Sequence, residues 1–156
     1  MSESALQPFH EQYTALTNAG SLPGSALPWL SNLRERGMTR FDEMGFPTPR
    51  VEKWKYTNLR ALERQVFHPA TTMTATLGLD RVPSLIGDKA GHRMVFVNGR
   101  FREEMSSLGR LPKGAKVMSF AQALETEPNL LAEEIDQIAE GQDDQPFYHL
   151  NCAFMN

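Results

Sequence analysis

Between residues 45 and 59 the chain reads GFPTPRVEKWKYTNL, and no regular element can run through it. Pro47 and Pro49 each fix φ near about −65° and lack an N–H, and each holds the preceding residue away from helical backbone. A helix arriving from the amino-terminal side must stop at Gly45, and the stretch itself must be extended. Its missing donors leave it unable to complete a ladder of main-chain hydrogen bonds, so side chains have to fix it. Trp54 and Tyr56 are the large aromatics available, and both are expected to anchor it in the core while Arg50, Lys53 and Lys55 face water. The stretch divides the chain into a helical part, residues 1–46, and an α+β part, residues 47–156.

Before it, Leu6, Phe9, Tyr13 and Leu16 recur at spacings of three and four, which stacks them on one helical face. Ser4 suits the start of that helix and Gly20 its end. A second helix is expected from Pro28, a residue tolerated in a first turn, with Leu30, Leu33, Phe41 and Met44 as its stripe and Gly37 as a weak point on the same face. The two helices should pack antiparallel or share another surface, as a helical hairpin.

After it, residues 69–76 are rich in Thr without periodicity and read as a loop. RMVFVNGRFREEM carries Asn98-Gly99, the preferred two-residue hairpin turn, which sets Val97 opposite Arg100, Phe96 opposite Phe101 and Arg93 opposite Glu104. A turn at Pro112-Lys113-Gly114, a strand at AKVM and a helix opening at Ser119 follow. The next helix shows Leu131, Ile135 and Ile138 on one face and Gly141 as its stop. The sum is an α+β fold.

Composition narrows the function. With 156 residues, 40% hydrophobic and 22% charged, the chain can bury a core without disulfides or metal. No apolar run nears the ~20 residues of a membrane helix, and the opening MSESALQPFHEQY has no basic flank before an apolar stretch, so a cytoplasmic place and no membrane partner are expected. A net charge of −3 opposes general nucleic-acid binding.

Chemistry-bearing residues are few. His149 and Cys152, three apart, would share a helical face and supply half of a tetrahedral metal site, but His10, His68 and His92 are scattered, so a structural role is expected and no metal or catalytic residue is assigned. The acids Glu133, Glu134, Asp136, Glu140, Asp143 and Asp144 read as a solvated face. No glycine-rich phosphate loop is present. Aromatics interleaved with Arg50, Lys53 and Lys55 allow a second reading, a single-stranded nucleic-acid or protein-binding module built on Trp54 and Tyr56. A third is a small enzyme whose site forms only in an oligomer.

At Gly45, Pro47, Thr48, Glu52, Trp54, Lys55, Tyr56, Thr57 and Leu59 the chain resembles the SufB/SufD family of iron-sulfur cluster assembly proteins, nearest the amino-terminal region of its SufD-like members. The likeness continues through FVNGRF, the Leu111-Pro112-x-Gly114 turn and LNCAFM. It implies a longer protein that continues past Asn156 into a right-handed parallel β-helix, and a scaffold complex with SufB-like and SufC-like partners. It further implies that the cluster is handled by the whole complex and that this chain, non-catalytic in isolation, binds no cofactor itself. The family's residues for cluster building lie in the later regions, so none is carried onto this chain.

Overall fold

The computed structural model describes residues 5–68, 91–139 and 144–155, without the side chains of 136–139. They fall into two compact units, one formed by residues 1–68 with 120–156 and the other by residues 69–119. The fold is α+β, helix-rich, with short antiparallel strand pairs.

The first unit contains α1 (Gln7–Asn18), α2 (Pro28–Met44), a 3-10 turn at Glu52–Trp54, α3 (Arg60–Glu63), α4 (Phe120–Thr126), α5 (Pro128–Ala139) and α6 (Pro146–Ala153). Pro28 opens α2 after an extended Leu27, and Gly45 closes it with φ 65°, its N–H bonded to the Phe41 carbonyl. That backbone conformation suits glycine and lets the chain turn straight into the proline stretch. The Ser4 cap expected for α1 lies outside the described residues.

Helix α2 is the spine of this unit. Its buried face is Leu30, Leu33, Arg34, Gly37, Met38 and Phe41, while Met44 is only half-buried. Leu30 and Leu33 meet Leu124 of α4, with Leu131 and Ile135 of α5 packed against them. Met38 and Phe41 meet Phe46 and Ala153, with Phe9 and Tyr13 of α1 alongside. Phe9 lies edge-on to Phe41 at 5.9 Å, and Tyr13, one turn later, sits within electrostatic reach of Arg34. Early residues of α1 thus face late residues of α2, the antiparallel order of a hairpin. Each fully buried Leu or Phe on this face contributes about 1.5 to 3 kcal/mol of apolar burial.

The proline stretch is held by rings, though not by both expected ones. Phe46 is buried among Phe9 at 5.7 Å, Phe41 at 5.5 Å and Phe147 at 5.8 Å, and Trp54 rests half-buried on Phe147 at 5.2 Å. Tyr56 is 92% exposed, which corrects its expected role as an anchor. The turn Glu52–Trp54 directs Trp54 inward, and Tyr56, two residues past it, is left on the outside.

The second unit has β1 (His92–Arg93), β2 (Phe96–Val97), β3 (Arg100–Phe101) and β4 (Ser107–Leu108). Asn98 and Gly99 both have positive φ, 50° and 77°, as a type I′ turn requires. The pairs Phe96 with Phe101 and Val97 with Arg100 form as expected. Arg93 instead opposes Ser107, because a 3-10 turn at Glu103–Met105 interrupts the second strand, and Glu104 pairs with Arg102. The inserted turn buries Met105 against Val97. AKVM, residues 115–118, forms no strand. The turn before it is present, with Gly114 at φ 86°. The loop expected at 69–76 and the Gly141 stop lie outside the described residues.

Candidate functional site

Gly37 marks the crossing of α2 and α6. A Cβ there would stand 2.7 Å from the His149 carbonyl oxygen, 2.9 Å from the Ala153 nitrogen and 3.0 Å from the Cys152 Cβ, so only a hydrogen lets the helices come this close. The residue expected to weaken α2 is therefore its contact point. Beside the crossing opens a groove of about 850 Å³, lined by Trp29, Arg36, Gly37 and Arg40 on the α2 side and Tyr148, His149 and Cys152 on α6.

His149 and Cys152 do share a face of α6, and both are buried at that crossing. Burial pushes the Cys152 thiol up, outweighing the Tyr148 hydrogen bond and the Arg36 charge that favour the thiolate. The Tyr148 hydroxyl is pushed up to about 12, first by burial and then by its bond to Cys152. A thiol held in its protonated form is a poor nucleophile and a poor ligand. Among the described residues no group of three or more His, Cys, Asp or Glu is placed to hold a metal ion. His10 lies 3.1 Å from Asp42, His92 accepts the Gly109 N–H at 3.1 Å, and His68 is exposed. Glu133 and Glu134 are exposed, and Asp144 pairs with Lys53 at 2.9 Å, which with Gln145 holds its carboxyl below the usual range.

The basic and aromatic stretch separates into two faces. Trp54 is drawn toward Phe147, whereas Arg50, Lys53, Lys55 and Tyr56 are exposed. Lys55 Nζ stands 5.6 Å from the Tyr56 ring centroid and 3.9 Å from Glu52. A two-ring stacking platform does not form, since only Tyr56 faces outward.

Arg34, Met38 and Phe46 carry much of this architecture and went unread in the sequence. The full series Leu30, Leu33, Arg34, Gly37, Met38 and Phe41 follows i, i+3, i+4, i+7, i+8 and i+11, the pattern of a broad buried face. Reading Arg34 by position instead of by charge would have found it.

The described residues thus make a helix-rich α+β chain whose groove beside the α2–α6 crossing carries Glu35 as well as Arg36 and Arg40. Residues 7–156 match the family described as SufBD protein N-terminal region. The chain belongs to the SufB/SufD family of iron-sulfur cluster assembly, through that amino-terminal region. No curated protein and no solved structure matches the chain. No helix among the described residues is long and apolar enough to cross a membrane.

Proposed function

We propose that this chain is the amino-terminal module of a SufD-like component of a SufBCD-type scaffold, working in the cytoplasm beside SufB-like and SufC-like proteins. The observation that carries the reading is the family match across residues 7–156, nearly the whole chain. Its part is read as non-catalytic: the one cysteine is buried, and burial pushes its thiol up toward the protonated form, away from the reactive thiolate. The module binds no cofactor of its own, and the cluster is cargo of the complex.

Co-expression tests this. The protein carrying this chain is expected to elute with SufB-like and SufC-like partners; if those two associate and it elutes alone, the reading fails. Anaerobic treatment of the chain with ferrous iron and sulfide is expected to leave no stoichiometric cluster. A cluster lost in Cys152→Ala would overturn the non-cofactor part.

A further inference from the structure

Asn98 is the only asparagine of this chain that is followed by glycine; Asn18, Asn32, Asn58, Asn129 and Asn151 precede Ala, Leu, Leu, Leu and Cys. Asparagine is a thermolabile residue, because the main-chain nitrogen of its successor can attack the side-chain carboxamide. A successor without a side chain leaves that approach open. Here both residues are exposed, and a Cβ added at Gly99 would meet nothing within 4 Å. Among the described residues neither the Asn98 carboxamide nor the Gly99 N–H has a hydrogen-bond partner.

The folded turn withholds the reaction. In a type I′ turn the first central residue has ψ of about +30°, which sets the following nitrogen on the far side of the Cα–C bond from its side chain. The Gly99 nitrogen reaches the Asn98 Cγ only after rotation about that bond, so the hairpin has to open. Little holds it shut. Its ladder is two pairs, Phe96 with Phe101 and Val97 with Arg100, helped by the Arg102 N–H on the Val95 carbonyl and by Val97 packed on Met105. A two-stranded hairpin of this size is marginal, and such elements open locally at far lower cost than the whole protein.

We propose that Asn98 is a self-modification site, at which opening of the β2–β3 hairpin permits intramolecular deamidation. The Gly99 nitrogen bonds to the Asn98 Cγ, the bond from Cγ to the carboxamide nitrogen breaks, and ammonia leaves carrying the proton from the Gly99 N–H. The product is a five-membered succinimide. Solvent water then opens the ring, at Cγ to give aspartate or at the main-chain carbonyl carbon to give isoaspartate. Isoaspartate routes the backbone through Cβ and Cγ and so inserts one extra carbon into a loop whose length fixes the register. The pairs Phe96 with Phe101 and Val97 with Arg100 then no longer match, and Val97 loses its seat on Met105. The modification is therefore a slow, one-way release of this hairpin, and it stands apart from the scaffold reading.

The test incubates the whole chain at mildly alkaline pH and body temperature. Peptide mapping by electron-transfer fragmentation separates aspartate from isoaspartate, and isoaspartyl methyltransferase labelling gives the isoaspartate content independently. Both products are expected at position 98, with the other asparagines intact. A synthetic peptide of residues 91–108 supplies the rate of an open turn. The whole chain is expected to react about threefold or more slowly than the peptide, and Val97→Ala, which loosens the hairpin, to remove most of that difference. A Val97→Ala chain that unfolds altogether should reach the peptide rate, which circular dichroism distinguishes and which supports the same gating. No product at position 98 while the peptide reacts, or equal rates in the parent chain, Val97→Ala and the peptide, would overturn the proposal.

Discussion

Arg34 and Met155, 121 positions apart, are joined by two hydrogen bonds: the Met155 carbonyl accepts from Nε at 3.2 Å and from Nη2 at 2.6 Å of the Arg34 guanidinium. Nη2 also donates to the Pro23 carbonyl at 2.6 Å. The side chain is buried, and burial pushes its pKa down while Tyr13 opposes that shift. One fork thus ties the loop before α2 and the residues after α6 to the middle of the spine.

Arg34→Lys keeps a cation but loses the fork, leaving the part-buried Met155 carbonyl underbonded. Hydrogen bonds to charged groups contribute about 1.5 to 3 kcal/mol, so the variant should lose roughly 2 kcal/mol in urea unfolding. Hydrogen exchange at the Phe154 and Met155 amides should accelerate. Unchanged stability and exchange would mean the fork is incidental.

Gly37→Ala should destabilise the protein although alanine is the better helix former. The propensity gain is about 1 kcal/mol. Against it stand two backbone atoms within 3 Å of the new methyl, which cannot rotate away, so α2 and α6 must separate. Overpacking of this kind costs typically about 1 to 3 kcal/mol. A thermal midpoint equal to or above the parent's would show that the helices part freely.

Trp54 and Tyr56 should behave in opposite ways. Trp54→Ala removes the ring contact with Phe147, but the indole is only half-buried, so the loss should be about 1 to 2 kcal/mol, below the ~3 to 5 typical of a buried tryptophan. Tyr56→Ala should change stability by less than about 0.5 kcal/mol. Equal effects of the two would contradict the inward and outward placement.

Alkaline stability should fall as pH rises from about 10 toward 12. The folded Tyr148 hydroxyl is pushed up to about 12 from an ordinary 10.0, so across that window the unfolded chain has released a proton that the folded one retains. A state that binds more protons loses ground as pH rises. Cys152, raised in the same direction by burial, adds to the slope. Tyr148→Phe should therefore flatten the pH dependence of the thermal midpoint in this range, and an unaltered slope would remove Tyr148 as its source.

The sequence was most legible where a residue type has one conformational use. Pro28 and Gly45 bounded α2, and Asn98-Gly99 set the register of its nearest two pairs. Legibility faded with distance from the turn: a two-residue loop dictates only adjacent pairs, and the 3-10 turn at Glu103–Met105 moved Arg93 to Ser107. Tyr56 was misjudged because an aromatic in an aperiodic stretch carries no phase from which a face can be inferred. Gly37 was read only as a weak point, and Arg34 not at all, for a different reason: the α6 contact of Gly37 and the Met155 carbonyl bonded by Arg34 lie more than a hundred residues away, and local pattern says nothing of what will pack there. AKVM has strand-forming residues but pairs with no strand among the described residues, and propensity alone does not make a sheet.

The crossing at Gly37 also sets a schedule for synthesis. Helix α2 ends at Met44 and its partner α6 begins at Pro146, so about a hundred residues must be added before the seat at Gly37 is filled. At about 5 to 20 residues per second that interval lasts roughly 5 to 20 s. Throughout it the growing chain carries the apolar face of α2 without its closing helix, and α1 can cover only the Phe41 end. A ribosome-bound intermediate halted before residue 146 should accordingly engage a holdase that releases it once α6 emerges.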